Sequence, residues 1–183
     1  MENPPKVAVK YFDLYGKHRK AVSDYFHRSQ VIAFQFGKAI REYLELPEYY
    51  LTPNKGGSDS WTRFYQWDSD LDEAGAVATT TQLNEIDATG TLRFALGLAL
   101  SHTENSFPKM YMYMACSIVH SADAATLTLG VKDELKRFEL DLTSGTLDFT
   151  AAVAAYLDAI ETALARPPFG ATKPSRSMGF IES

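Results

Sequence analysis

Between residues 92 and 100 every second position is apolar. Leu92, Phe94, Leu96, Leu98 and Leu100 alternate with small or polar neighbours, the period of a strand with one face in a core. Met110, Met112, Met114, Cys116 and Ile118 repeat the pattern against Tyr111, Tyr113, Ala115, Ser117 and Val119. Further strands are predicted around Leu127, Leu129 and Val131, and around Phe138, Leu140 and Leu142. Upstream, 61–67 (WTRFYQW) has the aromatic density of a pleated surface, and 77–86 reads as a strand after an acidic turn at 68–73. The connections are short, so an antiparallel meander of five or six strands is expected, because parallel neighbours need long crossovers. Folding about the turn at 121–124 sets Ile118 beside Leu127 and Cys116 beside Leu129, keeping both apolar sets on one face.

Helical periods flank this region. Over 17–46, Val22, Tyr25, Phe26, Ile32, Ala33, Phe36, Ala39, Ile40 and Tyr43 recur every three or four residues, and Asp24/Arg28 and Lys38/Glu42 have i,i+4 spacing. Gly37 inside that run, at a cost of about 1 kcal/mol relative to alanine, implies a bend or a close neighbouring backbone. Residues 6–12 alternate weakly and read as a short first strand, whereas 49–60 is rich in turn formers and reads as a loop. A second helix is predicted over 149–165 from Phe149, Val153, Tyr156, Leu157, Ile160 and Leu164, with Asp148 or Thr150 available as a cap. No internal repeat or heptad array is apparent.

The expected architecture is an α+β domain over 1–166. It has a long N-terminal helical segment and a C-terminal helix, packed mainly on one face of the antiparallel meander. A Pro, Gly and Ser-rich tail, 167–183, is expected to be mobile or docked on a partner. This order of weak strand, helices, meander and final helix is similar to the helix-grip arrangement of START and Bet v 1-like ligand-binding domains. The resemblance implies a fold and no particular function.

Composition narrows the function classes. A net charge of -5 and a pI near 5.4 disfavour bulk electrostatic coating of nucleic acid or anionic membrane, leaving only a local basic patch for such contacts. No stretch stays apolar long enough to span a bilayer and the start lacks a signal-peptide pattern, so no membrane contact and a cytoplasmic location are expected. The single cysteine, Cys116, lies among apolar residues and reads as a buried structural thiol.

On the face opposite the core the meander would carry Arg93, Ala95, Gly97, Ala99, Tyr111, Tyr113, Ser117, Thr126, Thr128 and Arg137, a mixture too polar for a second dry core. Trp61, Arg63, Tyr65 and Trp67 share one strand face, the two tryptophans being expected to be buried. Arg93, Tyr111, Tyr113, Arg63 and Trp61 are the candidate binding residues. Together they suggest a noncatalytic binding or adaptor protein acting through a protein–protein or small-ligand surface, with a protein partner or a second copy as a homodimer.

Signals for catalysis are weaker, and no catalytic residue, metal ligand or cofactor is assigned. Asp68, Asp70 and Asp72 would be the centre of a metal-assisted hydrolase, the first alternative. An EF-hand is excluded, because Glu73 stands where that loop needs glycine and Thr79 where it needs glutamate. His18 and His27 are nine residues apart on a helix, and His102 and His120 should lie about 30 Å apart along a strand. Residues 54–58 lack the spacing of a phosphate loop. A nucleic-acid contact through Lys17, Arg19, Lys20 and Arg63 is the second alternative, with Tyr11, Phe12 and Tyr15 nearby read as core aromatics.

Overall fold

The computed structural model describes residues 6–53, 56–68, 73–78, 83, 86–103, 106–107, 109–130, 135–165 and 178–182. The chain opens with one helix, α1 (Lys6–Tyr43), and continues into a short hairpin, β1 (Tyr49–Leu51) and β2 (Ser58–Ser60). The sheet strands follow: β3 (Thr62–Asp68), β4 (Glu73–Ala78), β5 (Leu92–Leu100), β6 (Met110–His120), β7 (Ala124–Leu129) and β8 (Lys136–Asp141). Helix α2 (Thr150–Leu164) and strand β9 (Met178–Glu182) complete the described elements.

The strand order is β4-β3-β5-β6-β7-β8, every pairing antiparallel. The alternation at 92–100 and 110–118 sets the register as predicted, with Ile118 opposite Leu127 and Cys116 opposite Leu129. Leu92, Phe94, Leu96, Leu98, Met112, Met114, Cys116, Ile118, Leu127, Leu129 and Leu140 are all buried on one face. Against that face lie Ile32, Ala33, Phe36 and Ile40 of α1 and Ala152, Val153, Tyr156 and Ile160 of α2, in one apolar cluster. The Tyr156 hydroxyl, carried into this core, donates to the Leu96 carbonyl at 2.9 Å, so its burial leaves no donor unmet. Gly37 marks the close approach of helix and sheet: a Cβ there would sit 2.9 Å from the Phe64 ring. Asp148 accepts the Thr150 N–H at 2.9 Å, occupying one of the free donors at the start of α2.

Four expectations change. Residues 6–12 are helical, joining the 38-residue α1 instead of forming a strand, so the helix-grip order does not hold. A loop was expected at 49–60, but Tyr49, Tyr50 and Leu51 supply strand-forming side chains, and that region contains the β1–β2 hairpin. The strand expected at 77–86 begins earlier, at Glu73; residues 79–82 and 84–85 lie outside the described residues. The region 167–183, expected as a tail, contributes β9, which pairs with Met110–Met114 of β6. Along that edge β7 covers Cys116–His120 and β9 covers Met110–Met114, with the Ala115 carbonyl between them accepting from the Gly130 N–H, so two segments distant in sequence share one long strand.

Candidate functional site

The reverse face of the sheet is the largest departure from expectation. It was predicted to be wet apart from the two tryptophans; Trp61 and Trp67 are buried as expected, but Tyr65, Ala95, Ala99, Tyr111 and Ala115 are buried there with them, together with Tyr50 of the β1–β2 hairpin. The small residues of β5 are the cause: a Cβ on Gly97 would lie 2.8 Å from the Tyr65 ring, so the missing side chain makes room for rings from β3 and β6. From the hairpin, Tyr50 sets its ring edge-on against Trp61, with centroids 5.0 Å apart.

Polar groups pin the hairpin down. The Tyr111 hydroxyl donates to the Ser60 carbonyl at 2.6 Å and shares a 2.9 Å hydrogen bond with the Tyr50 hydroxyl. The single Tyr50 proton can instead go to Asp59 at 3.2 Å, and Asp59 forms an ion pair with Arg63, whose guanidinium carbon lies 4.3 Å above the Tyr111 ring. Burial raises the pKa of Tyr50, Tyr65 and Tyr111, so these phenols stay protonated and act as hydrogen-bonding groups, not as bases. Lys109 is buried beside them, its ammonium 4.3 Å from the Trp61 ring, 4.9 Å from Tyr50 and 5.2 Å from Phe107, and it donates to Ser101 Oγ at 3.1 Å. A cation over several aromatic faces is stabilised by their quadrupoles, which offsets part of the cost of its desolvation. Two buried polar atoms, Trp61 Nε1 and the Tyr65 hydroxyl, have no hydrogen-bond partner among the described residues.

Three of the five predicted binding residues, Trp61, Arg63 and Tyr111, meet the hairpin instead of forming an open shelf, and Tyr113, partly buried, packs at the edge of the same cluster with its ring 6.5 Å from Tyr65. Trp61 is 5% exposed and Tyr111 0%, so neither ring is free to meet a partner in this state. Arg93 is elsewhere, exposed and paired with Asp87 at 3.3 Å near the opposite end of β5. Tyr50 and Asp59 were missed by sequence reasoning because the hairpin that carries them was read as a loop, and Lys109 because it closes the turn before β6, where nothing in the periodicity marks it as buried.

Among the described residues the longest run of exposed apolar side chains lies instead on α1. From Val9 to Asp24 every residue of the helix is exposed, and the first fully buried side chain is Ser29. Tyr11, Phe12 and Tyr15 are 62–66% exposed, which corrects their reading as core aromatics, and Leu14 among them is 51% exposed. Sixteen helical residues extend over about 24 Å, so α1 outruns the body that packs its other half. The root of this free half is fastened at Tyr25, whose ring stacks on His120 at 3.9 Å and whose hydroxyl donates to the Gly90 carbonyl at 2.7 Å. Beside it Ala21, Asp24, Tyr25, Arg28, His120, Ser121 and Ala122 line an open recess of about 360 Å³.

The remaining candidates separate. Lys17, Arg19 and Lys20 sit on the free half of α1 whereas Arg63 is held by Asp59 on the sheet, so the proposed nucleic-acid set does not form one surface. Asp70 and Asp72 lie outside the described residues. Cys116 is a buried free thiol whose pKa burial pushes up. Among the described residues, no helix is long and apolar enough to cross a membrane. Compared with known proteins, the chain matches no family model, no curated protein and no solved structure.

Proposed function

We propose that this is a noncatalytic binding or adaptor protein that holds a protein partner through the free half of α1. The observation that carries this reading is the exposure of Tyr11, Phe12, Leu14 and Tyr15 on a helix that continues beyond the body. Large apolar side chains clustered on one exposed helical segment are costly in water, and they are the anchors by which amphipathic helices enter grooves or pair with other helices. The aromatic cluster on the sheet is the weaker candidate, because the β1–β2 hairpin already fills it.

A photo-crosslinking residue placed at Phe12 tests the reading in the protein's native cells. Discrete protein adducts are expected, and they should vanish when Tyr11→Ser, Leu14→Ser and Tyr15→Ser are combined, while the thermal melting of the body stays within a few degrees of the parent. An adduct pattern unchanged by those three substitutions, or no adduct at all, overturns the proposal.

A further inference from the structure

The free half of α1 carries more than an apolar patch. Tyr11, Tyr15, His18, Val22 and Tyr25 are separated by four, three, four and three residues, the spacing that aligns side chains into a seam along one side of a helix. The seam runs on into Ser29, Ile32 and Phe36, which the body buries, and Tyr25 is already covered by His120. The open part is thus Tyr11 to Val22, an extension of the surface by which α1 packs in its own fold. Its geometry suits another helix.

Charge selects which helix. Residues 6–28 contain six Lys or Arg and two Asp, in a chain with 18 basic and 23 acidic residues overall, so this segment is +4 and the remainder -9. Arg19 and Arg28 occupy positions directly beside the seam, with Lys10 and Lys17 one step further out. All four are exposed and none forms an ion pair among the described residues, although Asp24 stands at the i,i+4 position to Arg28. Pairing the seams of two copies would set +4 against +4. Nucleic acid or an anionic membrane would satisfy the charge, but phosphates do not explain Tyr11, Tyr15 and Val22 at helix-pairing spacing with Leu14 beside them.

We infer that the occupant is an acidic amphipathic helix of another protein, its apolar side on Tyr11, Leu14, Tyr15 and Val22 and its carboxylates against Arg19 and Arg28. This rests on the docking role proposed above. The full chain is titrated with two synthetic three-heptad peptides, each with leucine along the seam, one flanked by glutamate and the other by lysine. The glutamate peptide should bind at least about tenfold more tightly, with affinity falling as salt rises. Combined Arg19→Glu and Arg28→Glu should reverse that preference, whereas the combined Tyr11→Ser, Leu14→Ser and Tyr15→Ser variant should lose both peptides.

If the serine variant binds as the parent does, the docking role itself fails. If it loses binding but the charge reversal leaves the peptide preference unchanged, only the acidic assignment fails. Two further outcomes overturn the inference: a dimer of the unliganded chain in sedimentation that the serine substitutions dissolve, or tighter binding to duplex DNA or phosphatidylserine vesicles than to the glutamate peptide.

Discussion

Asp87 shows how a single side chain can organise a connection. Its carboxylate accepts from the Thr89 hydroxyl and from the Thr89 and Thr91 N–H groups, and it meets Arg93 of β5. The Thr89 hydroxyl first, then the backbone donors and Arg93, hold its pKa down to about 2 from the ordinary 3.8. Because the folded value lies below the unfolded one, the stabilisation is complete above about pH 4 and disappears as pH falls towards 2. Asp87→Ala should therefore lower the melting temperature at pH 7, and the gap to the parent should close by about pH 2 in calorimetric scans. Tyr111 is the corresponding residue for the hairpin. Tyr111→Phe removes the hydroxyl that bonds Ser60 and Tyr50, and a loss of about 1–3 kcal/mol in urea unfolding is expected from groups left short of a partner in a buried site.

Among the elements, the register of β5 and β6 was readable because a period of two puts all their large aliphatic side chains on one face, and a slip by one residue would send every leucine of β5 to the face that holds the aromatic cluster. Leu98→Ala and Leu140→Ala test that face: each should cost about 2–5 kcal/mol in denaturant unfolding, and a cost below about 1 kcal/mol at both sites would refute it. The reverse face was misread because alternation tells which residues share a side but not what covers it. Ala95, Gly97 and Ala99 look like a shallow shelf in the sequence, whereas in the fold they are small because Tyr65 and Tyr111 need the space. Residues 6–12 were misread for a different reason. Alternation over so few positions fits a strand or one side of a helix equally well, and only continuity with the longer period downstream decides it.

At the scale of the whole molecule, the two halves of α1 have opposite fates from one continuous pattern. Ile32, Ala33, Phe36 and Ile40 find the sheet, while Tyr11, Tyr15 and Val22 on the same helical side do not, because the body ends near Tyr25 and the helix continues. Nothing in the periodicity marks that limit, so the aromatic residues before the basic cluster were read as core and the surface they form was missed. The free half lacks an acidic side chain in its first turn and, among the described residues, forms no ion pair or ring contact with another element before Tyr25, so propagation from the anchored half sustains it. Hydrogen exchange should therefore show a gradient along one helix, with amides around 29–40 protected to the level of global unfolding and those around 9–20 exchanging orders of magnitude faster. His120→Ala removes the ring stacked on Tyr25 and the contact to its carbonyl, and it should move the boundary of fast exchange from near Tyr25 towards Ser29 while leaving the protection of β5 and β6 unchanged. A uniform protection along all of α1 would mean that the free half is held by contacts other than those described, and the surface proposed for a partner would already be occupied.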